Sequence, residues 1–305
     1  MVEKRQVVST ASARTFPYWF PVFRWMAVHL PPDGLGALAA ATIERFMWAR
    51  TPVREAVRDN VSRVLGVPRL DDAVEATARR MFSRHSRLWI DLLRYSARTD
   101  FSARDLVARS SGEERLVAAR DAGKGGILLT AHVGNFELGG LFLRDLAVDV
   151  YAVYAPDPSP EVEAHRDEAR RAIGVKGIPV TTSPFAFVPM LRALRAGSFL
   201  AMQGDRDYSG TGDCVPFLGE LASFPTGPFR LAQVSGAPLF PVFILQEDDG
   251  RYRIVVHEPI PVRTGGSEAE KAAAVHEALA AFVAILERTI RENPSQWYLF
   301  HRFWD

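Results

Sequence analysis

Cysteine is nearly absent, with Cys214 the single one in 305 residues. That excludes an internal disulfide and any cysteine-based zinc cluster, and it points to a reducing compartment. Neither sign of charge dominates. Lys and Arg number 37 against 36 Asp and Glu, a net charge of +1, so the overall basic field that suggests nucleic-acid binding is missing. No apolar run reaches the roughly 18 residues that a membrane span needs. The N-terminus lacks the clean apolar core and small-residue cleavage site of a secretory signal. Internal repeats, low-complexity segments and long linkers are also lacking. So is a Gly-x-Ser-x-Gly elbow, the usual seat of a lipase or thioesterase nucleophile, and no local activating signature surrounds Cys214.

What remains is an ordinary globular composition, 48% hydrophobic and 24% charged, with ample material for a core. Residues 1–110 read as a helical N-terminal layer. "TPVREAVRDNVSRVLG" and "DDAVEATARRMFSRHSRLWIDLLRYSAR" place apolar residues at helical spacing, with Arg-rich exposed faces. From Gly125 the pattern changes. "GGILLTA", "VDVYAVYA", "GSFLAMQG", "APLFPVFIL" and "RYRIVVHE" read as strands. They are separated by helices such as "EVEAHRDEARRAIG", "FAFVPMLRALRAG" and "GPFRLAQVSG", and the long helix "SEAEKAAAVHEALAAFVAILERTIREN" precedes the tail "PSQWYLFHRFWD". Strands alternating with helices predict an α/β fold, a mostly parallel central sheet flanked by helices. A single domain over 1–305, with an α/β core over 111–305, is the simplest organisation.

One stretch stands apart. "FPYWFPVFRWMAVHL", residues 16–30, is crowded with aromatic side chains and broken by Pro17, Pro21 and Arg24. Too short and interrupted to span, it suits the interface between water and lipid, where Trp19, Phe20, Phe23 and Trp25 would insert at the headgroup level. The alternative is a helix docked on the rest of the domain.

The chemistry-bearing residues begin with "LLTAHVGNFELGG", residues 128–140. A strand ends at Ala131, His132 follows, Val133 and Gly134 turn, and Asn135 caps a helix with Glu137 in its first turn. A carboxylate there is held ionised by the helix N-terminus and is expected to bond one ring nitrogen of His132. The other nitrogen is then free to take a proton. The position, past the carboxyl end of a strand, is where a doubly wound sheet exposes ligands. Gly134 and Asn135 supply backbone N–H groups in the same turn, a candidate oxyanion region. A lone His after a strand is more often structural, so this context is what raises His132 and Glu137.

A second cluster, "MQGDRDYSGTGDCVPFLG", follows another apolar strand. Its acids begin like a calcium loop, but Pro216 stands where a bidentate Glu is required. Arg206 between Asp205 and Asp207 fits an anion or a developing oxyanion, with Asp207 orienting it or the loop. A salt-bridged loop is equally compatible with the composition. "FPTGPFRLA" opens a helix whose backbone N–H groups suit an anion. Arg166, Arg170 and Arg171 form either a surface row or a headgroup clamp.

Taken together, "AHVGNFELGG", "GDRDYSGTGDCVPFLGE", "FPTGPFRLAQVSGAPLFPVF" and the tail resemble the lysophospholipid acyltransferase superfamily. The branch is that of the late lipid A acyltransferases and the mycobacterial phosphatidylinositol mannoside acyltransferases. The Arg of Asp-Arg-Asp looks more like the mannoside enzymes, Glu137 and the tail more like the lipid A enzymes. The resemblance implies an O-acyltransferase that moves a fatty acyl group from acyl carrier protein or coenzyme A to a lipid hydroxyl. It implies no metal or other cofactor, His132 and Glu137 as base and orienter, and Arg170 as a headgroup ligand. A peripheral place on the cytoplasmic face of the inner membrane goes with it. The rivals are a lipase or thioesterase, and a catalytically silent lipid-binding protein.

Overall fold

The computed structural model describes residues 51–97, 103–157, 159–180, 185–207 and 210–304, with Ser183 and, nearer the N-terminus, residues 22 and 24–31 and scattered positions from 34 to 49. Trp19, Phe20 and Phe23 lie outside the described residues.

The two N-terminal sequence patterns become α1 (Thr51–Leu65) and α2 (Asp72–Ser96). Asp71 starts α2, its carboxylate accepting from the Ala73 N–H at 2.8 Å, which satisfies one of the orphan donors of the first turn. The core then runs β1 (Val107–Ser111), α3 (Glu113–Asp121), β2 (Gly126–Thr130), α4 (Gly139–Asp145), β3 (Val150–Tyr154), α5 (Pro160–Ala172) and β4 (Val175–Pro179). It continues with α6 (Val188–Arg195), β5 (Phe199–Gln203), the hairpin β6 (Asp213–Phe217) and β7 (Glu220–Phe224), and α7 (Gly227–Ser235). The last elements are β8 (Leu239–Gln246), β9 (Tyr252–Val256) and α8 (Glu268–Glu292), the latter opened by a reciprocal Ser267–Glu270 capping box.

Seven strands form one sheet in the order β1-β9-β8-β2-β5-β3-β4. β8, β2, β5, β3 and β4 are mutually parallel, and only the β8–β9 pair is antiparallel. The predicted α/β fold with its mostly parallel sheet is the observed one. β1, β4 and the β6–β7 hairpin are additions to the strands expected, and β1 already belongs to the sheet.

Alternate side chains of the central strands enter two cores, as the period-2 rule requires. Ile127, Leu129 and Leu200 pack with α6, α7 and α8, whereas Leu128 and Phe199 pack with α3, α4 and α5. The α1 and α2 helices carry a third cluster, including Val57, Val61, Phe82 and Leu88, which closes on Tyr298 of the tail. The tail therefore joins the helical layer to the sheet. His132 and Asp205 follow the carboxyl ends of two adjacent parallel strands at the same sheet edge.

Candidate active site

β2 and β5 pair in register, Thr130 opposite Gln203. Two residues beyond each stand His132 and Asp205. Parallel neighbours about 4.8 Å apart hold such positions side by side without further help. The Asp205 carboxylate accepts from His132 twice: Oδ1 lies 2.8 Å from the ring Nδ1, and Oδ2 3.0 Å from the backbone N. The indole Nε1–H of Trp297 reaches Oδ2 at 3.4 Å. Asp205 is fully buried. Burial by itself would raise its carboxyl, but the charge and hydrogen bonds of His132, with Arg206 nearby, outweigh it and hold the group at about 2. With Nδ1 committed to Asp205, the available nitrogen of His132 is Nε2.

This corrects the sequence reading of Glu137. It does not orient His132. Gly134 adopts a left-handed φ of +65° and Asn135 a φ of −101° with ψ 68°, so the chain makes a wider turn before the 3₁₀ segment Phe136–Leu138 begins. Glu137 consequently faces α5, where Arg166 Nη2 donates to its Oε1 at 3.2 Å. The backbone donors of the same turn are also committed. Gly134 N–H donates to the Gln296 carbonyl at 2.9 Å and Asn135 N–H to the Ile244 carbonyl at 2.7 Å, so neither serves as an oxyanion donor in this arrangement.

The tail pins this loop from above. Tyr298 N–H donates to the His132 carbonyl at 2.8 Å, and Val133 bridges Trp297. Arg206, expected to face an anion, donates through Nη2 to the Tyr298 carbonyl at 2.7 Å. Its charge still stands close to Asp205 and to His85. Asp207 holds its own loop, accepting from Gly210 N–H, Gly212 N–H and the Ser223 hydroxyl. His85 from α2 packs edge-on against Tyr298 and Phe300. Burial, then the charges of Arg206 and His132, lower it to about 4, so it is neutral at physiological pH.

Arg170 is buried rather than held out to a headgroup. It bonds Glu163 at 2.8 Å and Asp167 at 2.9 Å, and its guanidinium lies 3.9 Å from the centroid of the Tyr154 ring. With Glu113, Thr130 and Glu137 it supplies the polar part of the lining of a narrow, mostly apolar cavity of about 90 Å³ between the sheet face and α4. Leu128, Thr130, Phe136, Phe142, Ala152 and Ala201 are among its walls. Phe136 joins the cavity to His132, its ring edge-on to the imidazole with centroids 5.4 Å apart.

Asp205 is the residue that sequence reading passed over. Its signal was the same as that of His132, a polar residue just past an apolar strand; only the adjacency of β2 and β5, far apart in the chain, unites them.

The model of the family described as bacterial lipid A biosynthesis acyltransferase matches residues 4–305. A phosphatidylinositol mannoside acyltransferase of Mycobacterium tuberculosis (strain CDC 1551 / Oshkosh) is 28% identical over 296 residues, covering 95% of this chain and 89% of that protein. The phosphatidylinositol mannoside acyltransferase of Mycolicibacterium smegmatis is 27% identical over 282 residues, covering 92% of this chain and 88% of its own length.

Proposed function

The chain belongs to the bacterial lipid A biosynthesis acyltransferase family and is an acyltransferase, and we propose that it carries a fatty acyl group from a thioester to a hydroxyl of a membrane glycolipid. The observation that carries this reading is the Asp205–His132 pair, a buried carboxylate fixing one ring nitrogen beside an apolar cavity. His132 Nε2 takes the proton of the acceptor hydroxyl while its oxygen attacks the thioester carbonyl. A C–O bond forms, the C–S bond breaks, and the imidazolium returns the proton to the departing thiolate. Asp205 holds the tautomer and steadies the imidazolium charge, the role a carboxylate plays behind histidine in hydrolytic triads. No covalent acyl-enzyme is required. The donor is acyl carrier protein or coenzyme A, and the cavity under Phe136 receives part of the acyl chain.

The relatives are named for phosphatidylinositol mannoside, which supports a glycolipid of that kind as the acceptor. A peripheral position on the cytoplasmic membrane face suits such a substrate, and among the described residues no helix is long and apolar enough to cross a membrane. Trp25 is 57% exposed, and Phe185, 71% exposed, follows the carboxyl end of β4, the sheet edge that also bears His132. These are the proposed contacts with lipid. Arg24, by contrast, pairs with Glu168 of α5 at 2.8 Å and acts as an anchor of the N-terminal helical segment.

Incubation with radiolabelled acyl thioester and a membrane lipid extract tests the reading. Labelled lipid from the wild type and none from His132→Ala is the expected result; labelled free acid alone would make the protein a thioesterase, and no product would leave it without this activity.

A further inference from the structure

A buried polar chain links the helical layer to the loop that carries the base. Asp91 of α2 has no exposed surface, and both its oxygens lie 2.8 Å from Nε of Arg87. Tyr252 Oη donates to Asp91 Oδ2 at 2.5 Å. Asn135 Nδ2 donates to Tyr252 Oη at 2.9 Å, and Asn135 Oδ1 accepts from the Leu138 N–H at 3.3 Å, capping the turn Phe136–Leu138. Tyr252 and Asn135 are almost entirely buried.

The donors set the order. Arg87 donates to both Asp91 oxygens, which therefore serve as acceptors; burial raises the carboxyl above its ordinary range, and Arg87 and the Tyr252 hydroxyl work against that rise. Tyr252 has one proton, and Asp91 takes it. The phenol oxygen can then only accept from Asn135, so the NH₂ of that amide must face Tyr252 and its oxygen must face Leu138. A reversed amide would set its NH₂ against the Leu138 N–H, which would keep only the Asn135 backbone carbonyl at 3.3 Å, and leave the buried NH₂ unpaired, which proteins avoid. We propose that Asp91, acting through Tyr252, is a positioning residue: it fixes the orientation of Asn135 and thereby the turn that presents Phe136 to His132 and Glu137 to the cavity. This inference rests on the proposed acyl transfer for its kinetic readout, but the geometry has a readout of its own.

The sharpest consequence is a swap. In Asp91→Asn the new amide donates to Tyr252, whose proton turns toward Asn135 and reverses it. In Asn135→Asp two carboxylates compete for the one phenolic proton. In the double variant Asp91→Asn/Asn135→Asp the new amide at 91 donates to Tyr252, Tyr252 donates to the new carboxylate at 135, and the other oxygen of that carboxylate accepts from Leu138. The bonds from residue 91 through Tyr252 to Leu138 are restored with the chain running the opposite way, while Arg87 keeps one of its two acceptor oxygens at residue 91.

The test measures kcat for acyl transfer and hydrogen exchange of the Leu138 amide by NMR in the wild type, both single variants and the double. Each single variant is expected to lose tenfold to a hundredfold in kcat, the order expected of a misplaced site, and to exchange Leu138 faster. The double is expected to regain most of both. Double-variant losses equal to the product of the singles, or wild-type values in Asp91→Asn, would overturn the proposal. Should Asp91→Asn not fold, Tyr252→Phe, of matching volume, must show the same kinetic and exchange changes, and unchanged values there would also overturn it. A wild type that transfers no acyl group refutes the function alone; Leu138 exchange in the same variants then decides the positioning role.

Discussion

At His132 the chemistry depends on which of two carboxylates holds the ring. Asp205 does so at 2.8 Å, while Glu137 is paired with Arg166. Replacing the base itself, His132→Ala, should lower acyl transfer by a factor on the order of 10² to 10⁴ in a protein that stays folded, the usual share of general-base catalysis; steady-state kinetics with circular dichroism checks this. Asp205→Asn should cost about 10³ or more in kcat, because an amide cannot accept from both His132 donors or balance the imidazolium. Glu137→Gln should cost far less, and measuring the two side by side separates the orienter from the pocket residue. Asp205 also gives a pH signature. Its carboxyl is held at about 2 in the folded protein, below the ordinary 3.8, so the fold binds fewer protons there than the unfolded chain. Its contribution to stability is complete above about pH 4 and is lost as the pH falls toward 2. Melting curves should show the gap between wild type and Asp205→Asn narrowing over that window, and a constant gap would refute the lowered Asp205 carboxyl.

At the scale of elements, the turn after β2 sets the site, and one glycine permits it. A Cβ on Gly134 would stand 2.0 Å from the Ile244 carbonyl oxygen, at a φ of +65°. Gly66 has nearly the same φ, +68°, with nothing within 4 Å of the same added atom. Gly66→Ala should therefore cost only the backbone strain, about 1 kcal/mol, and Gly134→Ala distinctly more, since the β8 backbone must also move. Urea unfolding of both variants checks the difference. This turn also shows what the sequence could and could not disclose. The strand ending before His132, the turn and the Asn135 cap were legible because apolar run, glycine and capping residue are local signals. The direction of Glu137 was not, since a 3₁₀ start and the left-handed Gly134 rotate the helix entry. β1, "VARSS", and β4, "VKGIP", escaped notice because edge strands this short and polar carry no hydrophobic period. Asp205 was in plain view beside Arg206, yet its pairing to His132 is a fact of sheet order.

For the whole molecule, the parallel strands bring His132, Asp205 and Phe185 to one edge, the edge proposed to meet lipid. Arg94 of α2 fastens the N-terminal helical segment, donating to the carbonyls of Ala27 and Leu30, with Trp25 left exposed. Changing Trp25 and Phe185 to Ser should reduce sedimentation with anionic vesicles severalfold while leaving the melting temperature nearly unchanged; undiminished binding would place the lipid contact elsewhere. The central proposal is that the Asp205–His132 pair drives acyl transfer to lipid. The decisive measurement is mass spectrometry of a membrane lipid extract after incubation with acyl thioester and wild type, Asp205→Asn or Glu137→Gln. The account predicts an acylated glycolipid from wild type, nearly as much from Glu137→Gln in the initial rate, and about a thousandth of that rate from folded Asp205→Asn. A folded Asp205→Asn that acylates lipid at the wild-type rate would contradict it.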